Sequence, residues 1–125
     1  MNARILLALP LAAMVLSLVP VAVAQSPLTG DVARGKSLFD DRCTKCHKAS
    51  TMGPPYTGLF GKRAGTVKGF EYSDALQKAG VDWGPETLEK WLANPDAFVP
   101  GNLMGLRVRN PQDRADLIAY LKTRN

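Results

Sequence analysis

The chain contains one histidine and two cysteines in 125 residues, and this scarcity removes most of the chemistry such side chains support. A structural zinc site takes about four Cys, His or carboxylate ligands, and no second cluster stands elsewhere to complete the three that lie together at 43–47. A thioredoxin-type dithiol sits in a strand–helix context, and no strand pattern precedes Cys43. A disulfide between Cys43 and Cys46 would close a loop too small to gain much entropy. The chain also lacks internal repeats, low-complexity tracts and hairpin signals. It has no basic stripe with interleaved aromatics, so nucleic acid is not an expected partner. Beyond residue 25 no apolar run resembles a membrane span.

What is present is concentrated in one pentapeptide, Cys43-Thr44-Lys45-Cys46-His47. Cys-x-x-Cys-His is the attachment signature of a c-type haem. The thiols of Cys43 and Cys46 add across the two vinyl groups of the macrocycle, and the imidazole of His47 binds iron. One covalently held haem c is therefore the expected cofactor. A domain of about 100 residues buries only a modest core, so a large apolar macrocycle would also serve as the middle of that core.

The N-terminus is consistent with this chemistry. A short basic start at Arg4 leads into an apolar run from Ile5 to Val23 that ends in Ala22-Val23-Ala24, a small-x-small pattern suited to cleavage before Gln25. Residues 1–24 are accordingly expected to be a signal peptide and residues 25–125 a single domain acting in the periplasm. The competing reading is an uncleaved anchor; Pro10 and Pro20 weaken a continuous helix there. The whole chain carries a formal net charge of +5.

With no second histidine, the other axial bond to iron falls to methionine, a soft neutral ligand. Met1 and Met14 lie in the leader, and Met52 follows His47 too closely to wrap round to the far face. Met104 lies far down the chain in a Pro-Gly loop between two helices, with ample reach. His47 and Met104 are thus the expected metal ligands. Such a pair raises the reduction potential and closes both axial positions, favouring electron transfer over oxygen chemistry. The plainer alternative for Met104 is a flexible core filler.

Local signals predict an all-α domain of about four helices with long loops. Asp31 can cap a first helix running to about Asp41, with Val32, Gly35, Leu38 and Phe39 on one face. Residues 48–72 are broken by glycines and prolines into loop. A short helix is expected at 73–78. Gly84-Pro85 opens the next, with Leu88, Trp91 and Leu92 inward, and Asn94-Pro95 stops it. Asn110-Pro111 starts the last helix, with Asp113 favouring its positive end and Ala115, Leu117, Ile118 and Leu121 on the buried face.

The chain resembles class I cytochromes c of the mitochondrial and related soluble bacterial branch. Besides the pentapeptide, the resemblance is carried by Gly58-Leu59-Phe60-Gly61-Lys62, Gly69-Phe70-Glu71-Tyr72-Ser73, Asn94-Pro95, Val99-Pro100-Gly101 before Met104, and the run from Arg114 to Lys122. It implies the class I fold wrapped round one haem, with Gly35 and Phe39 packed against Leu117 and Tyr120 where the first and last helices cross. It further implies that the Pro54 carbonyl accepts the proton on the far nitrogen of His47. Tyr72 and Trp83 would bind a buried propionate, with Lys62 nearby. Plainer roles, a half-exposed loop aromatic for Tyr72 and a core indole for Trp83, stand beside these. The chain departs from the family pattern in four places: a shorter loop after His47, Trp91 in place of a tyrosine, Asn102-Leu103 before Met104, and Asp96-Ala97 in place of a lysine pair.

The expected function is a one-electron carrier, not an enzyme, shuttling between respiratory or photosynthetic complexes or dehydrogenases and a terminal acceptor. A monomer is expected. Arg42, Lys45, Lys48, Arg107 and Arg109 could form a basic rim that steers acidic redox partner proteins. The alternatives are a haem peroxidase or ligand sensor with a labile methionine, and an electron-accepting subunit dedicated to one dehydrogenase.

Overall fold

The computed structural model describes residues 28–48 and 51–125, so the expected signal peptide at 1–24 and the expected start of the domain at Gln25 lie outside the described residues. Six helices follow in order: α1 Val32–Arg42, α2 Thr44–His47, α3 Asp74–Lys78, α4 Pro85–Ala93, α5 Pro95–Phe98 and α6 Pro111–Lys122. Among the described residues there is no strand, only an isolated antiparallel bridge between Arg63 and Asp82.

The helix starts follow from their capping residues. Asp31 accepts a hydrogen bond from Arg34 N at 2.8 Å, and Asn110 accepts from Gln112 N at 2.8 Å ahead of Pro111, so both helices enter with an orphan N–H satisfied. Ser73 caps α3 through Leu76 N. At α4 the cap is glycine, and the Thr87 hydroxyl reaches back to accept from Gly84 N at 2.8 Å. Asn94 both ends α4 and caps α5. Pro95 therefore stops one helix and opens another, where the sequence predicts only loop. The second unexpected helix is α2, a single turn holding the cysteine–histidine motif.

The central contact is α1 crossing α6. Gly35 makes it possible, because a Cβ at that position would lie 1.9 Å from the Asp116 carbonyl oxygen and 2.9 Å from Tyr120 Cβ. One turn on, Phe39 stacks in a tilted arrangement on Tyr120, with ring centroids 5.5 Å apart. Leu117 and Leu121 of α6 join Leu88, Trp91 and Leu92 of α4 in the core. Two of the expected apolar faces need correction. Val32 is exposed and Ala115 is half-buried outside the core, whereas Ile118 is half-buried but packed against it. The inner side of α6 also holds Tyr120 and Asp116, the latter the one buried charged side chain among the described residues.

Asp116 is tolerated there because it is surrounded by donors. Its Oδ1 accepts from Asp31 N at 2.7 Å and from Gln112 Nε2 at 2.9 Å, and its Oδ2 lies 2.7 Å from the Arg34 guanidinium. Burial alone would push this carboxyl up, but those hydrogen bonds and the Arg34 charge together hold it below its ordinary value of 3.8. A depressed folded-state pKa stabilises the fold fully above the unfolded value and loses that contribution as pH falls through the folded value. Asp116→Asn is therefore expected to cost about 2 kcal/mol at neutral pH, measured by denaturant unfolding of the holoprotein. The gap from wild type should narrow below about pH 4; a gap that stays constant to pH 2 would contradict the assignment.

The loops are tied to this frame by long-range backbone bonds. Gly61 N donates to Trp83 O, Trp83 N to Lys62 O and Ala64 N to Val81 O, all at 2.7–2.8 Å. The C-terminus closes the same side, with Arg124 O accepting from Gly58 N and Asn125 Oδ1 from Phe60 N. Together they hold residues 58–64 and 81–83 around one large cavity.

Candidate haem-binding site

That cavity has a volume of about 500 Å³ and is bordered by all seven residues singled out from the sequence: Cys43, Cys46, His47, Pro54, Tyr72, Trp83 and Met104. They arrive from separate parts of the chain. Cys43 ends α1, and α2 carries Cys46 and His47; Pro54 and Tyr72 come from the long loop, and Met104 from the segment between α5 and α6. Leu88, Trp91 and Leu92 of α4 and Leu117 and Leu121 of α6 complete an apolar wall. A space of this size, apolar with a few placed polar groups, is what a tightly held cofactor requires.

His47 is oriented by the backbone. Its Nδ1 lies 2.8 Å from the carbonyl oxygen of Pro54. A carbonyl can only accept, so Nδ1 carries the proton and donates, which leaves Nε2 with a lone pair for a metal. Gly53 is needed beside it, because a Cβ there would sit 2.8 Å from the same ring nitrogen. The turn that delivers Pro54 is closed by Gly53 N donating to Cys46 O at 2.9 Å, so the motif and its supporting carbonyl form one local unit.

The Cys43 thiol is buried, and burial pushes its pKa up to about 11, with Arg42 opposing the rise and Cys46 adding to it. That is the opposite of the lowered thiol pKa that a redox dithiol uses. Among the described residues no group of three His, Cys, Asp or Glu side chains is placed to hold a metal ion by itself, so the zinc reading has no geometric support either.

Tyr72 is half-buried, packed edge-on against Phe70 with centroids 4.7 Å apart. Burial raises its pKa, with the Val67 backbone partly offsetting the rise; the phenol keeps its proton and can donate. Trp83 is buried against Trp91, edge-on at 5.4 Å. Lys62 borders the cavity, and so does Arg63, which sequence reasoning did not single out. Arg63 pairs with Asp82 at 3.2 Å, and nothing local in the sequence distinguishes it from its neighbour. Of the two methionines after residue 25, Met52 is 76% exposed whereas Met104 is half-buried.

The proposed basic rim is thinner than the sequence suggests. Arg42 lies 3.9 Å from Asp113 and Arg107 lies 3.2 Å from Asp96, while Lys45, Lys48 and Arg109 are exposed. Leu103, which borders the cavity, is 84% exposed.

An all-helical shell enclosing an apolar cavity, with a Cys-x-x-Cys-His turn on its wall, defines a single-haem c-type domain. The cytochrome c family model matches residues 32–125. The chain is 46% identical over 105 residues to a cytochrome c of Chlamydomonas reinhardtii, covering 79% of this chain and 93% of that protein. It is 39% identical over 106 residues to a cytochrome c of Arabidopsis thaliana, covering 80% and 95%. The solved structure of cytochrome cH from Methylobacterium extorquens superposes with a TM-score of 0.69 at 40% identity, covering 75% of this chain and 99% of that one. The chain belongs to the cytochrome c family and has the class I fold. Its cofactor is a covalently attached haem c, and the cytochrome c family is one of electron carriers that act with redox partners.

Proposed function

We propose that this chain is a periplasmic, monomeric one-electron carrier whose single haem is held by Cys43 and Cys46 and ligated by His47 and Met104. It would move electrons between respiratory or photosynthetic complexes or dehydrogenases and a terminal acceptor. The observation that carries the reading is the meeting of all seven predicted residues on one cavity, with His47 already oriented by Pro54. When bound, the haem supplies a reversible one-electron couple at iron.

The protein's own residues do the rest. The Pro54 carbonyl fixes the imidazole tautomer and makes it a better donor. Tyr72 and Trp83 offer an O–H and an N–H for a propionate that would otherwise be buried without partners. Leu88, Leu92, Leu117 and Leu121 exclude water and lower the local dielectric around the iron. Lys45, Lys48 and Arg109 supply positive charge for steering acidic partners, with a strong dependence on salt. The periplasmic site rests on the apolar leader and its Ala22-Val23-Ala24 ending, with residues 25–125 as the working domain. Among the described residues no helix is long and apolar enough to cross a membrane.

Equilibrium titration of the holoprotein should give one reversible one-electron wave, and its electron transfer to an acidic partner should slow as ionic strength rises. Absence of a reversible couple, or rapid carbon monoxide binding to the reduced protein at neutral pH, would replace the carrier with a peroxidase or sensor. Recovery from a periplasmic fraction with Gln25 as the first residue tests the compartment.

A further inference from the structure

Between α5 and α6 the chain is anchored at two buried residues. Val99 is 5% exposed, and Val108 is fully buried with its N–H on Leu92 O at 2.8 Å. The stretch between them belongs to no helix, and it is mostly exposed: Leu103, Gly105, Leu106 and Arg107 all face solvent. Met104 must hold its place at the cavity from within this segment. Neither the ladder of a helix nor close packing of its neighbours fixes it.

The bonds that do reach Met104 run through one side chain. Asn102 Oδ1 accepts from Met104 N at 2.8 Å, closing a side-chain turn two residues on. The other end of the same amide points back to the buried anchor, where Nδ2 donates to Val99 O at 2.9 Å and to Asp96 Oδ1 at 3.3 Å. Asn102 N also donates to Val99 O, at 3.1 Å. Asp96 Oδ2 in turn receives Arg107 at 3.2 Å, which straps the far side of the segment to α5. Asn102 thus links the buried Val99 to the backbone of Met104, with the Asp96–Arg107 pair crossing the loop above it.

We infer that Asn102 is a positioning residue that keeps Met104 at the haem cavity, and that its amide sets how rarely the methionine leaves. This rests on Met104 being the iron ligand. The Asp96–Arg107 pair is solvent-exposed and contributes less, since exposed ion pairs are weak. Asn102 is the member that matters, because it satisfies both a backbone donor at the ligand and a backbone acceptor at the anchor.

The test uses reduced and oxidised holoprotein of wild type, Asn102→Ala, Asn102→Ser and Met104→Ala. Losing one such hydrogen bond should raise the methionine-dissociated population about fivefold, read as an about fivefold faster association of carbon monoxide with the reduced form. The far-red iron–sulfur band of the oxidised form should weaken in parallel. Serine, whose hydroxyl can accept from the N–H two residues on, should recover a good part of the difference. A general loss of stability would not discriminate between alanine and serine in this ligand-specific readout. Unchanged carbon monoxide kinetics in Asn102→Ala, or identical kinetics in the alanine and serine variants, overturns the inference. Met104→Ala separates the two layers: retention of the far-red band in that variant removes the ligand reading itself, whereas its loss there with an unaffected Asn102→Ala removes only the role of Asn102.

Discussion

Holoprotein carrying Met104→Ala is expected to lose the far-red iron–sulfur band, bind carbon monoxide when reduced, and fall in reduction potential by a large part of the range that axial-ligand identity commands. Axial-ligand identity spans about 0.8 V across haem proteins, and a neutral thioether lies towards the high end because it favours the reduced iron. Alanine offers no donor, so the position would pass to water or another side chain. Met52 borders the same cavity but is largely exposed, and its proximity to His47 in the chain makes it a poor substitute. The protein should still fold around its haem, because Cys43, Cys46 and His47 are untouched and Met104 lies in a loop held by Val99 and Val108. Spectra, carbon monoxide association and a potentiometric titration on the same sample check all three effects. A variant with unaltered spectrum and potential would show that Met104 is a core filler and that iron finds its second ligand elsewhere.

The second large effect is predicted for Gly35→Ala, where two physical arguments give opposite signs. Helix propensity alone favours alanine over glycine by about 1 kcal/mol in a helix interior. Against this, the new Cβ would fall 1.9 Å from the Asp116 carbonyl oxygen, a contact that no rotamer change can relieve because both partners are backbone-fixed. The helices must move apart, and the contacts that depend on their spacing weaken together: Asp31 N to Asp116, Arg34 to Asp113 and Asp116, and Phe39 on Tyr120. A net loss of about 4 kcal/mol is expected, which lowers the melting temperature of a domain this size by about 20 °C. Thermal unfolding of the holoprotein, followed at the α-helical signal, gives the answer directly. A melting temperature equal to or above that of wild type would mean that α1 and α6 do not cross at Gly35.

These effects differ in how visible they were in the amino-acid order. The haem motif is local: five consecutive residues carry both thiols and the imidazole, so spacing alone reveals the chemistry. Met104 emerges by elimination, since iron needs a second ligand and few side chains can supply one. The starts of α1 and α6 are legible because capping is a short-range exchange between a side chain and the next turn's N–H groups, and that of α4 because Pro85 fits a first helical turn. Leu88, Trp91 and Leu92 follow the helical period and are all buried. The helices α2 and α5 were missed because four residues give no periodicity to read. Val32 fits the apolar pattern of α1 yet stays exposed, because at this end of the helix it is Gly30 and Asp31 that meet α6.

Asp116 shows the limit most clearly. Its position in α6 reads as polar and outward, yet it is buried, because Asp31, Arg34 and Gln112 converge on it. Asn102 reads only as a departure from the family pattern; its role depends on Val99 O and Met104 N lying within reach of opposite ends of one amide. Arg63 reaches the cavity because backbone bonds bring residues 61–64 beside 81–83, a pairing with no strand signal.

By itself the sequence determined which chemistry is possible: one haem, attached through Cys43 and Cys46, one imidazole beside it, and a thioether at Met104 as the best remaining ligand. It also determined where the main helices begin, because those signals act within a turn of chain. Only the tertiary structure decided which groups meet. The Gly35–Asp116 approach, the His47–Pro54 bond, the burial of Asp116 and the hold of Asn102 on Met104 are set by where elements cross and loops return. Distances across such contacts depend on the packing of the whole core, and no local period in the sequence encodes them.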